Sequence, residues 1–211
     1  MPSLAPFRGL IARTEKALLR SCEEDLVQDP EPCFYACRVD YRSETGLEKS
    51  HTALIARLDP FSPERGDVLV AVECPPHSVE KALERLKEQN LKEPLLQALY
   101  EDPDFEIERI LSQAPRKGVH TWRNSEQSWR LWRVESQEAI KRIKDFFSTK
   151  ECVLIDGVER FKACRRIREN IPGPKHSKDL EAFWPLVYLV NSYDFGVTLK
   201  SYCYLLPKEK N

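Results

Sequence analysis

The segment most indicative of the fold class is Cys152-Val153-Leu154-Ile155-Asp156-Gly157-Val158-Glu159-Arg160-Phe161. Its first four residues form a continuous apolar run, which predicts a short buried strand over 152–155. Asp156-Gly157 predicts a sharp turn, because glycine lacks a Cβ and accepts backbone angles that other residues avoid. The spacing of apolar residues after the turn predicts a helix over 158–170. A strand that turns directly into a helix is typical of proteins that mix α and β structure.

The same turn has the features of a phosphate-binding site. The first turn of a helix offers free N–H groups and the positive end of the helix dipole, both of which suit a phosphate. Arg160 follows Gly157 by three residues, so its guanidinium can fold back and donate several hydrogen bonds. Two residues oppose this interpretation: Asp156 can simply cap the helix, and the Glu159 carboxylate competes with an anion for the N–H groups. The residues therefore leave two alternatives, a phosphate or nucleotide site at Asp156, Gly157, Glu159 and Arg160, or an ordinary helix start.

Hydrophobic periodicity along the rest of the chain predicts a single domain over 1–211 with mixed α and β elements. Strands are predicted over residues 33–41, 51–58, 68–73, 129–134 and 152–155, with a final hairpin of 185–190 and 197–206. The apolar run of 68–73 favours the centre of a sheet. Helices are predicted over residues 14–26, 79–89, 94–100, 105–114, 158–170 and 180–183, with another that Ser136 caps. Residues 118–124 are expected to form an exposed strand or loop, and 171–178 a loop.

Composition limits the classes of function. The chain has 211 residues, of which 33 are Lys or Arg and 34 are Asp or Glu, for a net charge of −1. A balance of this kind disfavours a general polyanion binder. No apolar run reaches the roughly 18 residues that a membrane span needs, and residues 1–9 do not resemble a signal peptide, so we expect a soluble cytoplasmic protein. The seven cysteines lack a CxxC pair and the four histidines are scattered, which favours reduced, buried thiols and no metal site.

Charge is unevenly distributed along the chain. Residues 78–110 have a net charge of −4, whereas residues 111–178 carry sixteen basic and eight acidic side chains, a net charge of +8. Aromatic residues alternate with arginines in the basic part, at Trp122, Arg123, Trp129, Arg130, Trp132 and Arg133. Such a pattern is found where single-stranded nucleic acid stacks on a protein. Trp129 and Trp132 would lie on opposite faces of a strand, however, so at least one belongs to the core. A small anionic ligand near Arg160 is favoured over nucleic acid.

Four segments resemble, in order, the motifs of a bacterial and archaeal family, the domain of unknown function number 1015. Pro6-Phe7-Arg8-Gly9-Leu10 resembles its opening motif, and Trp129-Arg130-Leu131-Trp132-Arg133-Val134 resembles one of its strands. Asp156-Gly157-Val158-Glu159-Arg160-Phe161 resembles its D-G-H-H-R-Y signature. Leu189-Val190-Asn191 and Asp194-Phe195-Gly196 resemble the segment that follows.

The signature is in turn similar to the phosphate-binding motif of the ParB and sulfiredoxin superfamily, whose glycine, arginine and alanine match Gly157, Arg160 and Ala163. The resemblance implies a ParB/sulfiredoxin-like mixed sheet with surrounding helices. It also implies a nucleotide-phosphate pocket, with magnesium if the protein is catalytic. Val158 and Glu159 replace both signature histidines, so a neutral-pH proton carrier is lost. Glu73 aligns loosely with an acidic residue of the family and is the best remaining candidate for a catalytic base.

Three functions follow as expectations. The first is a nucleotide- or phosphate-binding module whose catalysis is weakened or lost. The second is a nucleotide-dependent kinase of a small molecule such as a free amino acid, with Arg160 on the phosphate and a carboxylate as base. The third is nucleic-acid binding through residues 111–178.

Overall fold

The fold is mixed α+β and is built on one mixed sheet. The computed structural model describes residues 3–12, 26–60, 68–71, 73–87, 94–116, 120–170 and 184–198. Its strands are β1 (Leu4–Ala5), β2 (Leu10–Ala12), β3 (Leu26–Gln28), β4 (Phe34–Arg42), β5 (Glu48–Leu58), β6 (Val68–Val70), β7 (Leu96–Tyr100), β8 (His120–Arg123), β9 (Gln127–Val134), β10 (Cys152–Asp156) and β11 (Leu186–Asn191). The helices are α1 (Pro76–Lys87), α2 (Glu106–Gln113), α3 (Gln137–Phe147) and α4 (Val158–Glu169).

Among the described residues, nine strands form the main sheet in the order β6-β10-β7-β11-β5-β4-β9-β8, with β1 paired to β5. Two neighbouring pairs are parallel, β6 with β10 and β7 with β11. The other pairs are antiparallel. Strands β2 and β3 form a separate two-stranded sheet. No helix among the described residues is long and apolar enough to cross a membrane.

The core lies between the helices and one face of this sheet. Alternate strand residues point to that face because side chains of a strand project to opposite sides in turn. The helices contribute the buried side chains Ile107, Ile110, Leu111, Ile140, Ile143, Phe147, Val158 and Phe161. Ser136 caps α3 as predicted, since its Oγ accepts a hydrogen bond from Ala139 N at 3.3 Å.

Two predictions from the sequence are wrong. Residues 94–100 were predicted as a helix, but residues 96–100 form the strand β7, because pairing with β10 and β11 on both sides outweighs the helical preference of this leucine-rich segment. Residues 68–73 were predicted at the sheet centre, whereas the shorter β6 is the last strand on one side of the sheet among the described residues. The segment 185–190 was predicted as one arm of a hairpin with 197–206, and its strand β11 pairs with β5 on one side and β7 on the other. The predicted helices over 14–26 and 180–183 and the loop over 171–178 lie outside the described residues, except Leu26, which belongs to β3, and residues 199–206 lie outside them too.

Candidate functional site

The turn between β10 and α4 is built around one glycine. Gly157 has a φ of +79°, a left-handed conformation that residues with a Cβ adopt only under strain. A Cβ placed here would lie 2.6 Å from Leu96 Cδ2 and would overlap the Arg160 guanidinium. The Gly157 carbonyl accepts a hydrogen bond from Phe161 N at 3.0 Å, which closes the first turn of α4. Both the backbone angle and the available space therefore require glycine.

The Arg160 side chain packs against this turn and is only 9% exposed. Its Nη1 donates a hydrogen bond to the main-chain carbonyl of Pro94 at 2.6 Å. Nη2 lies 3.6 Å from Asp156 Oδ2, and Nε lies 3.5 Å from Glu159 Oε1. These two distances exceed those of charge-assisted hydrogen bonds, and Nε has no hydrogen-bond partner among the described residues. A guanidinium carries five N–H donors, so Arg160 keeps donor capacity beyond its bond to Pro94.

A second strand-to-helix turn lies beside the first. Strand β6 is the parallel neighbour of β10, and the pairing continues past β6, where Ala71 N donates to Leu154 O at 3.1 Å. The turns that follow these two strands therefore meet at the same edge of the sheet. Glu73 belongs to the β6–α1 turn and is exposed, so the fold brings it to the edge that carries Asp156 and Gly157. Ligands of open α/β sheets usually bind outside the carboxyl ends of parallel strands.

Helices α1 and α4 pack against each other and fix the two turns in place. Val79, Ala82 and Ala163 form a small buried cluster between them, and Arg166 donates to Glu80 at the surface. Ala163 is fully buried. The small size of Ala163 therefore has a packing reason, since a larger side chain would push the two helices apart.

The charges that solvent reaches at these turns are mostly negative. Asp156 is 62% exposed and Glu159 is 34% exposed, and Glu73 is exposed as well, whereas Arg160 is buried. An anion that approaches the start of α4 meets the carboxylates before it meets the guanidinium. Within the ranges that the structure describes, no group of three His, Cys, Asp or Glu side chains is placed to hold a metal ion.

The histidine positions of the signature are occupied by side chains of different character. Val158 is 4% exposed and belongs to the main core, where it has no group that transfers a proton. Glu159 points its carboxylate toward Arg160. The chemistry that histidines would supply at this turn is therefore absent from both positions.

The basic and aromatic segment on β8 and β9 is largely tied to other parts of the protein. Trp132 is buried, and its Nε1 donates to the carbonyl of Leu111 at 3.1 Å, whereas Trp129 lies half-buried on the other face of the sheet. Arg130 pairs with Asp40 at 2.9 Å. Arg133 pairs with Asp29 at 3.1 Å and with Glu135 at 3.4 Å. The expectation that one tryptophan belongs to the core is confirmed, and the pairing of both arginines disfavours a stacking platform for nucleic acid.

The opening motif serves the packing of the N-terminal segment against the sheet. Gly9 N donates to Tyr35 Oη at 2.8 Å, and a Cβ on Gly9 would lie 2.7 Å from the phenol ring carbon that bears this oxygen. Phe7 packs against the same ring at a tilt of 45°, with centroids 4.9 Å apart. Tyr35 Oη also donates to Asp29. The glycine of this motif thus allows a close approach to a buried tyrosine.

The sequence did not reveal that Pro94 and Leu96 belong to the candidate site. Pro94 supplies the carbonyl that Arg160 binds, and Leu96 fills the space beside Gly157. Both were hidden by the helix predicted over 94–100. The sequence signal for a strand is the period-two spacing of the apolar residues Leu96, Ala98 and Tyr100, which are all buried in the structure.

The comparison with protein-family models gave a match over nearly the whole chain. The family model described as "Protein of unknown function (DUF1015)" matches residues 8–208. The chain belongs to this family. The comparison with curated proteins and the comparison with solved structures each gave no match. In this member of the family, Asp156 and Gly157 lie in a strand–glycine–helix turn on which the buried side chain of Arg160 packs.

Proposed function

We propose that this DUF1015 protein binds the phosphate groups of a nucleotide at the β10–α4 turn, as a divergent module of ParB/sulfiredoxin-like type whose catalysis is weakened or lost. The observation that carries the proposal is Arg160: a buried guanidinium held against Gly157 at the start of a helix, with an Nε that lacks a hydrogen-bond partner within the described part of the chain. Buried polar groups are normally satisfied. An unsatisfied donor beside a helix N-terminus suits an anionic ligand.

Binding requires a small rearrangement of the two carboxylates. The contacts of Asp156 and Glu159 with Arg160 are 3.6 and 3.5 Å long, so they are weaker than the hydrogen bonds that a phosphate oxygen would make. Leu96 and Arg160 fill the space beside Gly157, so the phosphate would meet the N–H groups at the start of α4 rather than the glycine itself. Because exposed carboxylates surround the turn, a nucleotide that arrives with a divalent cation would meet less repulsion than free phosphate.

A nucleotide-dependent kinase of a small molecule is the second candidate. It is favoured by the position of Glu73, an exposed carboxylate on the parallel-strand turn next to the phosphate site, where a base could take the proton of a substrate hydroxyl. It is disfavoured by Val158 and Glu159, since neither replaces a histidine as a proton carrier near neutral pH. We therefore place binding first.

A thermal-shift series tests the proposal. The melting temperature is measured with ATP, ADP, CTP and pyrophosphate, with and without magnesium, for the wild type and for Arg160→Lys, Arg160→Ala and Glu159→Gln. The control Arg165→Ala removes an exposed arginine from the same helix. A ligand at about 100 times its Kd adds about 2.7 kcal/mol, or roughly 5–10 °C in a chain of this size.

We expect a shift in the wild type and in Arg165→Ala, a larger one in Glu159→Gln, and little or none in Arg160→Lys. Arg160→Lys keeps the charge but loses the fork of donors, so it separates recognition from folding better than Arg160→Ala does. Absence of a shift with every ligand contradicts the phosphate site. Turnover in a coupled kinase assay that Glu73→Gln abolishes would favour the second candidate.

A further inference from the structure

On the face of the sheet that carries the core, apolar residues are followed by polar residues along β4, β5 and β9. Ala36 on β4 lies opposite Leu54 on β5 and Trp132 on β9, and all three are buried. Two residues further along β4 on the same face, Arg38 lies opposite Thr52 and Arg130. The change from apolar to polar residues therefore occurs at paired positions on all three strands. The polar residues that follow form an area that we call the arginine surface. It consists of Arg38, Asp40, Ser50, Thr52, Ser128 and Arg130.

One carboxylate holds the two central arginines side by side. Asp40 Oδ1 accepts from Arg38 Nε at 2.8 Å, and Asp40 Oδ2 accepts from Arg130 Nη2 at 2.9 Å. Arg38 Nη2 also donates to Ser50 Oγ at 2.9 Å. The side chains of Arg38 and Arg130 remain 41% and 39% exposed. Because strands are rigid and each guanidinium is anchored at one edge, the remaining donors face solvent in a fixed arrangement.

The surroundings of this surface add positive charge. Arg42 lies on the same face of β4, and Arg123 on β8 lies opposite Ser128. Both are exposed. The carboxylates that the described strands place on this part of the face are Asp40 and Glu48, the latter 3.7 Å from Arg42. Four arginines therefore face two carboxylates among these strands, which leaves a local net charge of +2 in a chain whose overall charge is −1.

The shape and chemistry of the surface indicate the kind of partner. It consists of strand residues on one face of the sheet, with serine and threonine hydroxyls between forked donors. The nearby aromatic side chains Trp122 and Trp129 share a register pair and lie on the other face, so single-stranded nucleic acid would find no ring to stack on among these strands. Arginine is the residue that binds carboxylates with two parallel hydrogen bonds.

We propose that the arginine surface docks an acidic, extended segment of a partner protein, whose Asp or Glu carboxylates receive the free donors of Arg38 and Arg130. The surface is separate from the phosphate site of the proposed function, because β7, β11 and β5 lie between β10 and β4 in the sheet. Association depends on salt, since the contacts are between exposed charges.

Fluorescence anisotropy with a labelled oligo-glutamate peptide tests this docking. Binding is measured at about 0.05 M and about 0.5 M salt for the wild type, Arg38→Gln, Arg130→Gln and Arg85→Gln. Arg85→Gln is the matched control because it removes one exposed arginine from α1. A labelled oligonucleotide is run in parallel, and melting curves check that each variant is folded.

We expect the peptide to bind the wild type at low salt, about tenfold more weakly in Arg38→Gln and Arg130→Gln, and equally well in Arg85→Gln. Three results would overturn the proposal: no peptide binding at low salt, an equal loss in Arg85→Gln, or binding of the oligonucleotide and not the peptide through Arg38 and Arg130. None of them bears on nucleotide binding at Gly157 and Arg160, so the two proposals fail independently.

Discussion

Arg160 Nη1 donates a 2.6 Å hydrogen bond to the main-chain carbonyl of Pro94. This bond ties the first turn of α4 to the residue that leads into β7, the neighbour of β10 in the sheet. Arg160 therefore contributes to the stability of the fold in addition to its proposed role in binding phosphate. Any test of its role in binding has to separate the two.

Replacement of Arg160 by alanine is expected to destabilise the fold. The change leaves the Pro94 carbonyl without its donor and empties a buried volume beside Gly157, at a cost of about 2–4 kcal/mol in the free energy of unfolding. Urea denaturation measures the loss. Arg165→Ala, on the exposed side of the same helix, should change the value by no more than about 0.5 kcal/mol. If Arg160→Ala is as stable as Arg165→Ala, the hydrogen bond to Pro94 does not contribute to the stability of the fold.

Gly157→Ala tests the tightness of the turn against a glycine of similar backbone angle. Gly46 has a φ of +81°, and a Cβ added there would have no described atom within 4 Å, so Gly46→Ala should cost only the backbone strain, about 1 kcal/mol. Gly157→Ala adds a clash with Leu96 and Arg160 and should cost roughly 2–4 kcal/mol. Chemical denaturation of both variants gives the comparison. Equal losses would mean that the Arg160 side chain moves aside freely.

Some elements could be predicted from the sequence because their own residues determine their structure. The strand over 152–156, the helix after Gly157 and the cap at Ser136 follow from apolar spacing and turn chemistry, and all three are confirmed. Residues 94–100 failed because their leucines and alanine suit either a helix or a strand. This segment is a strand because it pairs with β10 and β11, which are distant in sequence.

The candidate site was predicted only in part for the same reason. Asp156, Gly157, Glu159 and Arg160 are close in sequence, so their spacing was sufficient to bring them together. The position of Glu73 beside them depends on the parallel pairing of β6 with β10, and the carbonyl of Pro94 depends on the position of β7. Pairing of distant strands leaves no local mark in the sequence.

Asn191→Ala is expected to loosen the carboxyl ends of β7 and β11. The Asn191 side chain is fully buried, accepts from Asp102 N and Tyr193 N at 3.1 Å, and donates to Asp102 O at 2.7 Å. Its removal leaves the N–H groups of Asp102 and Tyr193 without this acceptor, whereas Asp102 O keeps its hydrogen bond from Phe105 N; the expected cost is about 2–4 kcal/mol. Asn170→Ala, which removes one exposed hydrogen bond, is the control. Equal melting temperatures of the two variants would contradict the structural role of Asn191.

The stability of the protein should decrease in mild acid because of His51. Burial lowers the pKa of this imidazole below its ordinary value of 6.5, although the charges of Asp194 and Asp40 oppose the shift. Below pH 6.5 the unfolded chain therefore takes up a proton that the native His51 resists. The free energy of unfolding then falls as the pH is lowered from about 7 toward about 5.

Denaturation midpoints across that range measure this dependence. The slope should be shallower in His51→Phe and unchanged in His77→Gln, since His77 is exposed. A slope that His51→Phe leaves intact would assign the acid sensitivity to other groups.

The most direct test of the central claim is a titration of the ¹⁵N-labelled protein with magnesium ATP, followed through its backbone amide signals. We expect the largest chemical-shift changes on Gly157, Val158, Glu159 and Arg160, and we expect Arg160→Lys to reduce them while the rest of the spectrum stays native. Saturating changes confined to other parts of the sheet, or none at all in a folded sample, would contradict phosphate binding at the β10–α4 turn.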